Sequence, residues 1–249
     1  MEKKNAIVLT DGLLMTSDAK TAHGLIRGTE RFHIIGLVDG EANAGKDAGV
    51  LLDGKRRDIP VFATMEAAID ALENVDYLII GVATVGGILP KNMLALIYDA
   101  VEKGISVVNG LHEYLNDKLD LVALAASNGA QLIDVRKPKS RADLHFWDGA
   151  IFNVTAPIVA VIGMDCAMGK RTTARMLKKA CTTEGMKAEM IYTGQTGWLQ
   201  GGQYGFIFDS TLNDFVSGEL EHAIVSCWKE IHPDILFLEG QSALRNPSG

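Results

Sequence analysis

The chain of 249 residues has only three cysteines, Cys166, Cys181 and Cys227, an odd number without metal-ligand spacing. That argues against a disulfide framework and a zinc knuckle, and it leads us to expect a reducing, cytoplasmic setting. No run of 18 apolar residues occurs, and Met1-Glu2-Lys3-Lys4-Asn5 leads straight into a strand. Neither a membrane span nor a signal peptide is therefore expected. Positive charge is also scarce: the net charge is −7, and the densest basic cluster, Lys55-Arg56-Arg57, lies between Asp53 and Asp58. Counterion release needs a basic stripe, so no nucleic-acid partner is expected. Internal repeats, low-complexity tracts, a Ser-His-Asp order and paired-histidine spacing are missing too, which sets hydrolase and zinc chemistry aside. What remains is an ordinary globular composition, 47% hydrophobic and 22% charged, long enough for one large domain or two ordinary ones.

Short apolar runs alternate with helical patterns over residues 5–135. Strands are expected at Ala6–Leu9, Phe32–Val38, Pro60–Phe62, Asp76–Gly81, Ile105–Val108 and Gln131–Asp134. Between them, residues 17–28 read as a helix capped by Ser17, and Thr64 caps another at 65–73. Pro90 opens a longer helix that closes at Lys103-Gly104, and a further helix covers 117–128. Strands apolar on both faces and separated by helices imply a parallel sheet covered on both sides. The fold class is α/β: a Rossmann-like domain over 1–135, a linker over 136–156, and a second α/β domain over 157–249. In the second domain, strands at Ile158–Ile162, Ala188–Tyr192 and Asp234–Glu239 flank a helix near 211–230. Three strands make a thin sheet, so the last is expected to leave an open edge and the domain to be incomplete.

The richest stretch is Gly163-Met164-Asp165-Cys166-Ala167-Met168-Gly169-Lys170-Arg171-Thr172-Thr173, between an apolar strand and an amphipathic segment. Strand, glycine-bounded loop and helix in that order form a phosphate cradle. Loop amides converge, the helix dipole adds positive potential, and lysine supplies a mobile charge. The common P-loop has four residues between its glycines and a hydroxyl directly after lysine. Here five residues separate Gly163 from Gly169, and Arg171 precedes Thr172. The long spacing and the aspartate are similar to the loop of dethiobiotin synthetase and related P-loop ligases. The inserted Arg171 turns the hydroxyl position by about 100° on a helix. Phosphate binding follows from this pattern; nucleotide hydrolysis does not. Cys166 lies near a helix N-terminus, where a thiolate is favoured, although a small side chain under a tight loop fits equally.

Other candidates lie at strand ends, where ligands sit in doubly wound sheets. Glu239 ends a strongly apolar strand before Gly240-Gln241; a carboxylate there can hold Mg²⁺ beside phosphates, with Thr172 as a second ligand. Asp165 beside phosphate calls for a cation or an amino substrate between them. Thr193-Gly194-Gln195-Thr196-Gly197 offers close backbone approach and neutral hydrogen-bonding groups. Gly40-Glu41-Ala42-Asn43-Ala44-Gly45-Lys46-Asp47 satisfies the phosphate-loop spacing, but Asp47 would repel phosphate. His112, just after the fifth strand, is the best-placed histidine for proton transfer.

Several pieces together resemble a bacterial family of formerly unknown function that joins a Rossmann-like domain to a P-loop domain. They are Ala44–Gly49, Gly110-Leu111-His112-Glu113-Tyr114-Leu115, Asp134-Val135-Arg136-Lys137-Pro138, Asp165–Thr173, Thr193–Gly197 and Glu239-Gly240-Gln241. The family includes D-glutamate N-acetyltransferases, and it normally carries sequence beyond the Glu-Gly-Gln region. The resemblance implies an N-acetyltransferase that moves acetyl from acetyl-CoA to an acidic amino acid. Gly163–Thr173 would hold the coenzyme phosphates. Asp165, Glu239 or His112 would supply the base. Gly194, Gln195, Thr196, Arg136 and Lys137 would bind the substrate. The competing expectations are an ATP- and Mg²⁺-dependent ligase or kinase, and a non-enzymatic nucleotide- or CoA-sensing module. In each case the expected partners are small molecules and further copies of the chain, without nucleic acid or membrane.

Overall fold

The computed structural model describes residues 3–165 and 168–241. The chain divides into two compact units, Met1–Lys137 with Leu199–Gly201, and Pro138–Trp198 with Gly202–Gly249.

The first unit is a six-stranded parallel sheet of β1 (Lys4–Leu9), β2 (Phe32–Val38), β3 (Val61–Phe62), β4 (Tyr77–Ile80), β5 (Ser106–Asn109) and β6 (Leu132–Asp134). Their order is β3-β2-β1-β4-β5-β6, the doubly wound Rossmann arrangement. Ala6, Ile7, Val8 and Leu9 are all fully buried, so both faces of β1 are covered. Ile7, Leu9, Leu78, Ile80 and Val107 form a core with Met93, Ile97 and Val101 of α4 (Lys91–Glu102) and Leu121 of α5 (Leu119–Asn128).

Helix starts follow local chemistry. Thr64 Oγ1 accepts from Ala67 N at 3.1 Å and starts α3 (Met65–Ala71). At the first helix the cap is Thr16 rather than Ser17. Its hydroxyl accepts from Asp18 N at 3.2 Å, a short 3₁₀ turn covers Ser17–Ala19, and α1 (Lys20–Arg27) follows. A helix that the pattern did not suggest, α2 (Ala48–Asp53), begins at Asp47. Asp47 Oδ1 accepts from Val50 N at 2.9 Å and Arg57 N at 3.1 Å, and Oδ2 from Ile59 N at 3.0 Å. The Gly40–Asp47 stretch, with its phosphate-loop spacing, is thus a helix entry, and its acidic residue is a cap.

In the second unit β7 (Ile158–Val161), β8 (Ala188–Ile191) and β9 (Ile235–Glu239) form a parallel sheet in the order β7-β9-β8. The last strand does not leave an open edge, as its position in the chain suggested. Two crossovers insert β9 between β7 and β8, and the exposed strand is β7, with Ile158 and Val159 37% and 40% exposed. On one face α6 (Lys170–Thr183) lays Ala174 against Met190, Tyr192 and Phe237. On the other, α8 (Val216–Ile231) packs Ala223, Ile224 and Cys227 on Ile191 and Leu236. Burial pushes the Cys227 thiol up to about 12, so it behaves as an apolar side chain. Most of the segment expected as a linker belongs to this unit and runs as a strap along α8. Ile151 and Val154 pack on the α8 cluster, and Glu221 accepts Asp148 N at 2.7 Å and Ile151 N at 3.1 Å. Among the described residues no helix is long and apolar enough to cross a membrane.

The amides on Asp47 outweigh the effect of its burial and hold this carboxyl below its ordinary value of 3.8. A depressed folded value contributes stability that is present above the ordinary value and lost as pH falls. Asp47→Ala should therefore cost about 1–2 kcal/mol in urea unfolding at pH 7. The difference from the parent should shrink as the pH is lowered into the acid range. A constant difference across that range would contradict the cap.

Candidate functional site

Site-forming residues of the second unit gather where β7 and β9 end. Val161 pairs with Glu239, so the loop after β7 must leave the sheet beside that carboxylate. Gly169 sits in the left-handed region at φ +92° and turns the chain into α6, which begins at Lys170. Lys170 folds back over the loop: Nζ donates to the Asp165 carbonyl at 2.9 Å, and a side chain on Gly163 would come within 3.3 Å of Lys170 Cγ. Lys170, Arg171 and Thr172 are half-buried on the first turn of α6, while Met168 and Thr173 are exposed. Cys166 and Ala167 lie outside the described residues.

Glu239 is the buried member, only 6% exposed. Burial raises its carboxyl above the ordinary range, against the opposing pull of Arg171, the Thr193 amide and Lys170. Thr193 N donates to Oε2 at 3.1 Å, and Thr193 Oγ1 donates to the Glu239 carbonyl at 2.8 Å. Gln241 Nε2 donates to Thr193 Oγ1 at 2.8 Å. The stretch expected to offer a ligand close backbone approach and neutral hydrogen-bonding groups is a helix start. Gly197 N and Trp198 N return to the Gly194 carbonyl at 3.0 and 3.5 Å and open α7 (Gln195–Leu199). Gln195 and Thr196 are buried there, and Gly197 is required because a Cβ would lie 2.4 Å from Tyr192 Cβ and 3.1 Å from Glu239 Oε2. The site thus combines a glycine-bounded loop, two cations and one buried carboxylate. Such a set can bind phosphate, and it can hold a proton or a cation against that phosphate.

His112, Arg136 and Lys137 belong to the first unit. Arg136 is buried; its Nε donates to the Gly110 carbonyl at 2.7 Å and its Nη1 to His112 Nε2 at 3.0 Å. A guanidinium only donates, so His112 Nε2 accepts and directs that lone pair at Arg136. His112 N also donates to the Gly87 carbonyl at 3.1 Å, which fixes the loop further. Lys137 is half exposed, 4.0 Å from Asp117. The sequence marked His112 and Arg136 without their mutual bond, because 24 residues separate them.

Acidic residues at the strand ends of the first unit serve its loops. Asp39 Oδ1 accepts Thr10 Oγ1 at 2.6 Å and Leu14 N at 2.9 Å, and Oδ2 accepts Asn43 Nδ2 at 2.7 Å. In dinucleotide-binding sheets the acid at the end of the second strand binds a ribose; here those oxygens tie down the turn after β1.

Because the folded value of Glu239 is raised, the group favours folding when protonated and disfavours it as pH rises through the carboxylate range. Glu239→Gln should therefore raise Tm at pH 8, by about 2–4 °C for each kcal/mol recovered. It should give little gain near pH 4. A lower Tm at pH 8 would show that the ionised group is a net stabiliser.

Residues 41–138 match the Rossmann-like N-terminal domain, and residues 145–249 the P-loop domain, of a family described as a domain of unknown function, DUF1611. A crystal structure of a DUF1611 family protein from Anabaena variabilis superposes with a TM-score of 0.89 at 31% identity, over 99% of this chain and 69% of that one. A D-glutamate N-acetyltransferase from a Pseudoalteromonas species is 33% identical over 170 residues, covering 68% of this chain and 49% of that protein. Another from Tritonibacter scottomollicae is 33% identical over 167 residues, covering 67% and 48%. The chain thus spans about half the length of the curated relatives it matches. With both domain types in order and the Anabaena structure matched across its fold, the chain belongs to the DUF1611 family.

Proposed function

We propose that the chain carries the acetyl-donor site of an N-acetyltransferase, which moves acetyl from acetyl-CoA to the amino group of an acidic amino acid such as D-glutamate. The carrying observation is the loop Gly163–Lys170 beside buried Glu239, in a chain 33% identical to two D-glutamate N-acetyltransferases. Coenzyme A presents a pyrophosphate and a 3′-phosphate, so a phosphate loop is useful without any hydrolysis. Amides of the loop, Lys170 and Arg171 would hold those groups by charge-assisted bonds. The same cations balance Glu239 before ligand arrives, which keeps the buried acid tolerable.

One observation favours a second reading. Glu239 stands at a strand end next to a phosphate loop, where a carboxylate can hold Mg²⁺ beside a nucleotide. That reading is an ATP- and Mg²⁺-dependent ligase or kinase, with Thr172 as a second ligand.

The two readings separate by product. Incubation with acetyl-CoA and D-glutamate should release free thiol and yield N-acetylglutamate by mass spectrometry, without ATP or Mg²⁺. Strict dependence on Mg-ATP with no acetylated product would overturn the transferase; ligand binding without any product would indicate a sensing module. In the transferase, Lys170→Ala should raise KM for acetyl-CoA roughly tenfold to a hundredfold, the loss of a charge-assisted bond of about 1.5–3 kcal/mol. An unchanged KM would place the phosphates elsewhere.

A further inference from the structure

The second unit holds another cluster of titratable groups, on the face of the sheet opposite α6. Glu219 lies in the first turn of α8, its side chain 1% exposed. Lys139 Nζ donates to Oε2 at 2.7 Å, while His145 donates to Oε1 from its backbone N at 3.0 Å and from Nδ1 at 2.8 Å. Burial opposes ionisation of this acid, but the bonds from Lys139 and His145 outweigh it and hold the carboxyl below the usual range. The His145 ring stacks on His222, with centroids 3.6 Å apart and planes at 8°. Burial and the neighbouring His145 push His222 below its ordinary 6.5, so it offers a neutral platform.

This arrangement exceeds what fastening the strap requires. Two residues along α8, Glu221 holds the same strap with two backbone amides and no imidazole. At Glu219 a side-chain imidazole is added, and 43% of that side chain is exposed. An ionised carboxylate only accepts, so Nδ1 carries the hydrogen and the neutral ring's lone pair is on Nε2. A buried carboxylate that accepts from Nδ1 in this way fixes the ring's tautomer and orientation and can stabilise an imidazolium once formed. Position agrees. In a parallel α/β layer a helix starts where the preceding strand ends, so the first turn of α8 lies at the sheet edge where Gly163–Lys170 and Glu239 also lie. His145 is bonded to that first turn, so the strap brings it to the same end of the sheet.

We propose that His145, oriented by Glu219, is the catalytic base of this unit. The assignment rests on the acetyl-transfer reading. The substrate ammonium first gives one proton to solvent. The neutral amine then attacks the thioester carbonyl carbon, its second proton passes to His145 Nε2, the carbon–sulfur bond breaks, and Nε2 returns that proton to the departing thiolate. N-acetyl amino acid and free CoA thiol result. Glu219 is a positioning residue. Lys139 on the strap and His222 and Lys229 on α8 are further titratable groups that act on the pair, and Glu221 lies two residues along the helix.

The test is the pH dependence of kcat/KM in the full chain. His145→Gln should lower kcat/KM by about 10²–10⁴-fold, leave KM for acetyl-CoA unchanged and abolish the acid limb of the profile. Glu219→Gln should retain that limb but move it to lower pH, because a neutral amide supports the imidazolium less; a merely structural role would leave its position unchanged. Should either variant fold poorly by thermal unfolding, nitrogen-15 NMR of the parent replaces it: D-glutamate added with CoA should shift the Nε2 resonance of His145. An active His145→Gln enzyme with an intact acid limb, or an Nε2 resonance unmoved by substrate, overturns the base while the transferase stands. A parent chain that forms no acetylated product overturns the transferase reading, and the base with it.

Discussion

Burying one negative charge at the end of a central parallel strand is the constraint around which the second unit is arranged. Glu239 lies between β7 and β8, where water is excluded and an ionised carboxylate is costly. Register supplies the remedy. Since Val161 pairs with Glu239, the loop leaving β7 and the first turn of α6 come off next to the acid, and they bring Lys170 and Arg171. Low local dielectric strengthens every interaction in that small volume. The compensation is incomplete, because the carboxyl is still held above its ordinary range. A group left in that condition beside two cations is poised to respond when an anion competes for them.

Other acids in the chain show the contrast. Asp134 accepts from Asn109 Nδ2 at 2.7 Å, Leu115 N at 3.0 Å and Asn116 N at 2.9 Å. Asp39, Asp47 and Glu221 are likewise occupied by donors from nearby loops. These carboxylates do the work of turns: one side chain with two oxygens satisfies amides that a loop leaves without partners. Carboxylate at a strand end is therefore a poor marker of function by itself. What separates Glu239, among the described residues, is that the Thr193 amide reaches its carboxylate from the turn after β8 while Arg171 and Lys170 pull it toward ionisation.

Periodicity made the first sheet legible, because each strand is a short apolar run between turn signals. Phe32–Val38 matches its expected bounds, and Pro90 and Gly104 bracket α4 as expected. Helix α2 was missed because its amphipathic pattern is only six residues long, and its cap doubles as a brace for residues 57 and 59. The phosphate loop was legible from spacing. The strap was not: His145 and Glu219 are 74 residues apart, and no local pattern links a polar stretch before β7 to the first turn of α8. Strand order was also beyond the sequence, since three apolar runs fix pairing partners only through the crossovers that join them.

Strand order has a consequence for the loop. A phosphate loop that follows a strand flanked on both sides is held by two neighbours, whereas β7 pairs with β9 alone among the described residues. Leu236 N donates to the Pro157 carbonyl and Gly240 N to the Val161 carbonyl, so residues 157, 159 and 161 bond inward, and the backbone groups of Ile158, Ala160 and Ile162 face the open edge. Among the described residues, no strand pairs with that side of β7. The loop's bracing comes from within: Lys170 reaches back to the Asp165 carbonyl, and its stem lies across Gly163. The residue suited to grip a phosphate is thus also the residue that closes the loop. Transfer of Lys170 from the carbonyl to an anion would exchange one brace for another, and the loop would depend on its ligand for the order its own lysine otherwise provides.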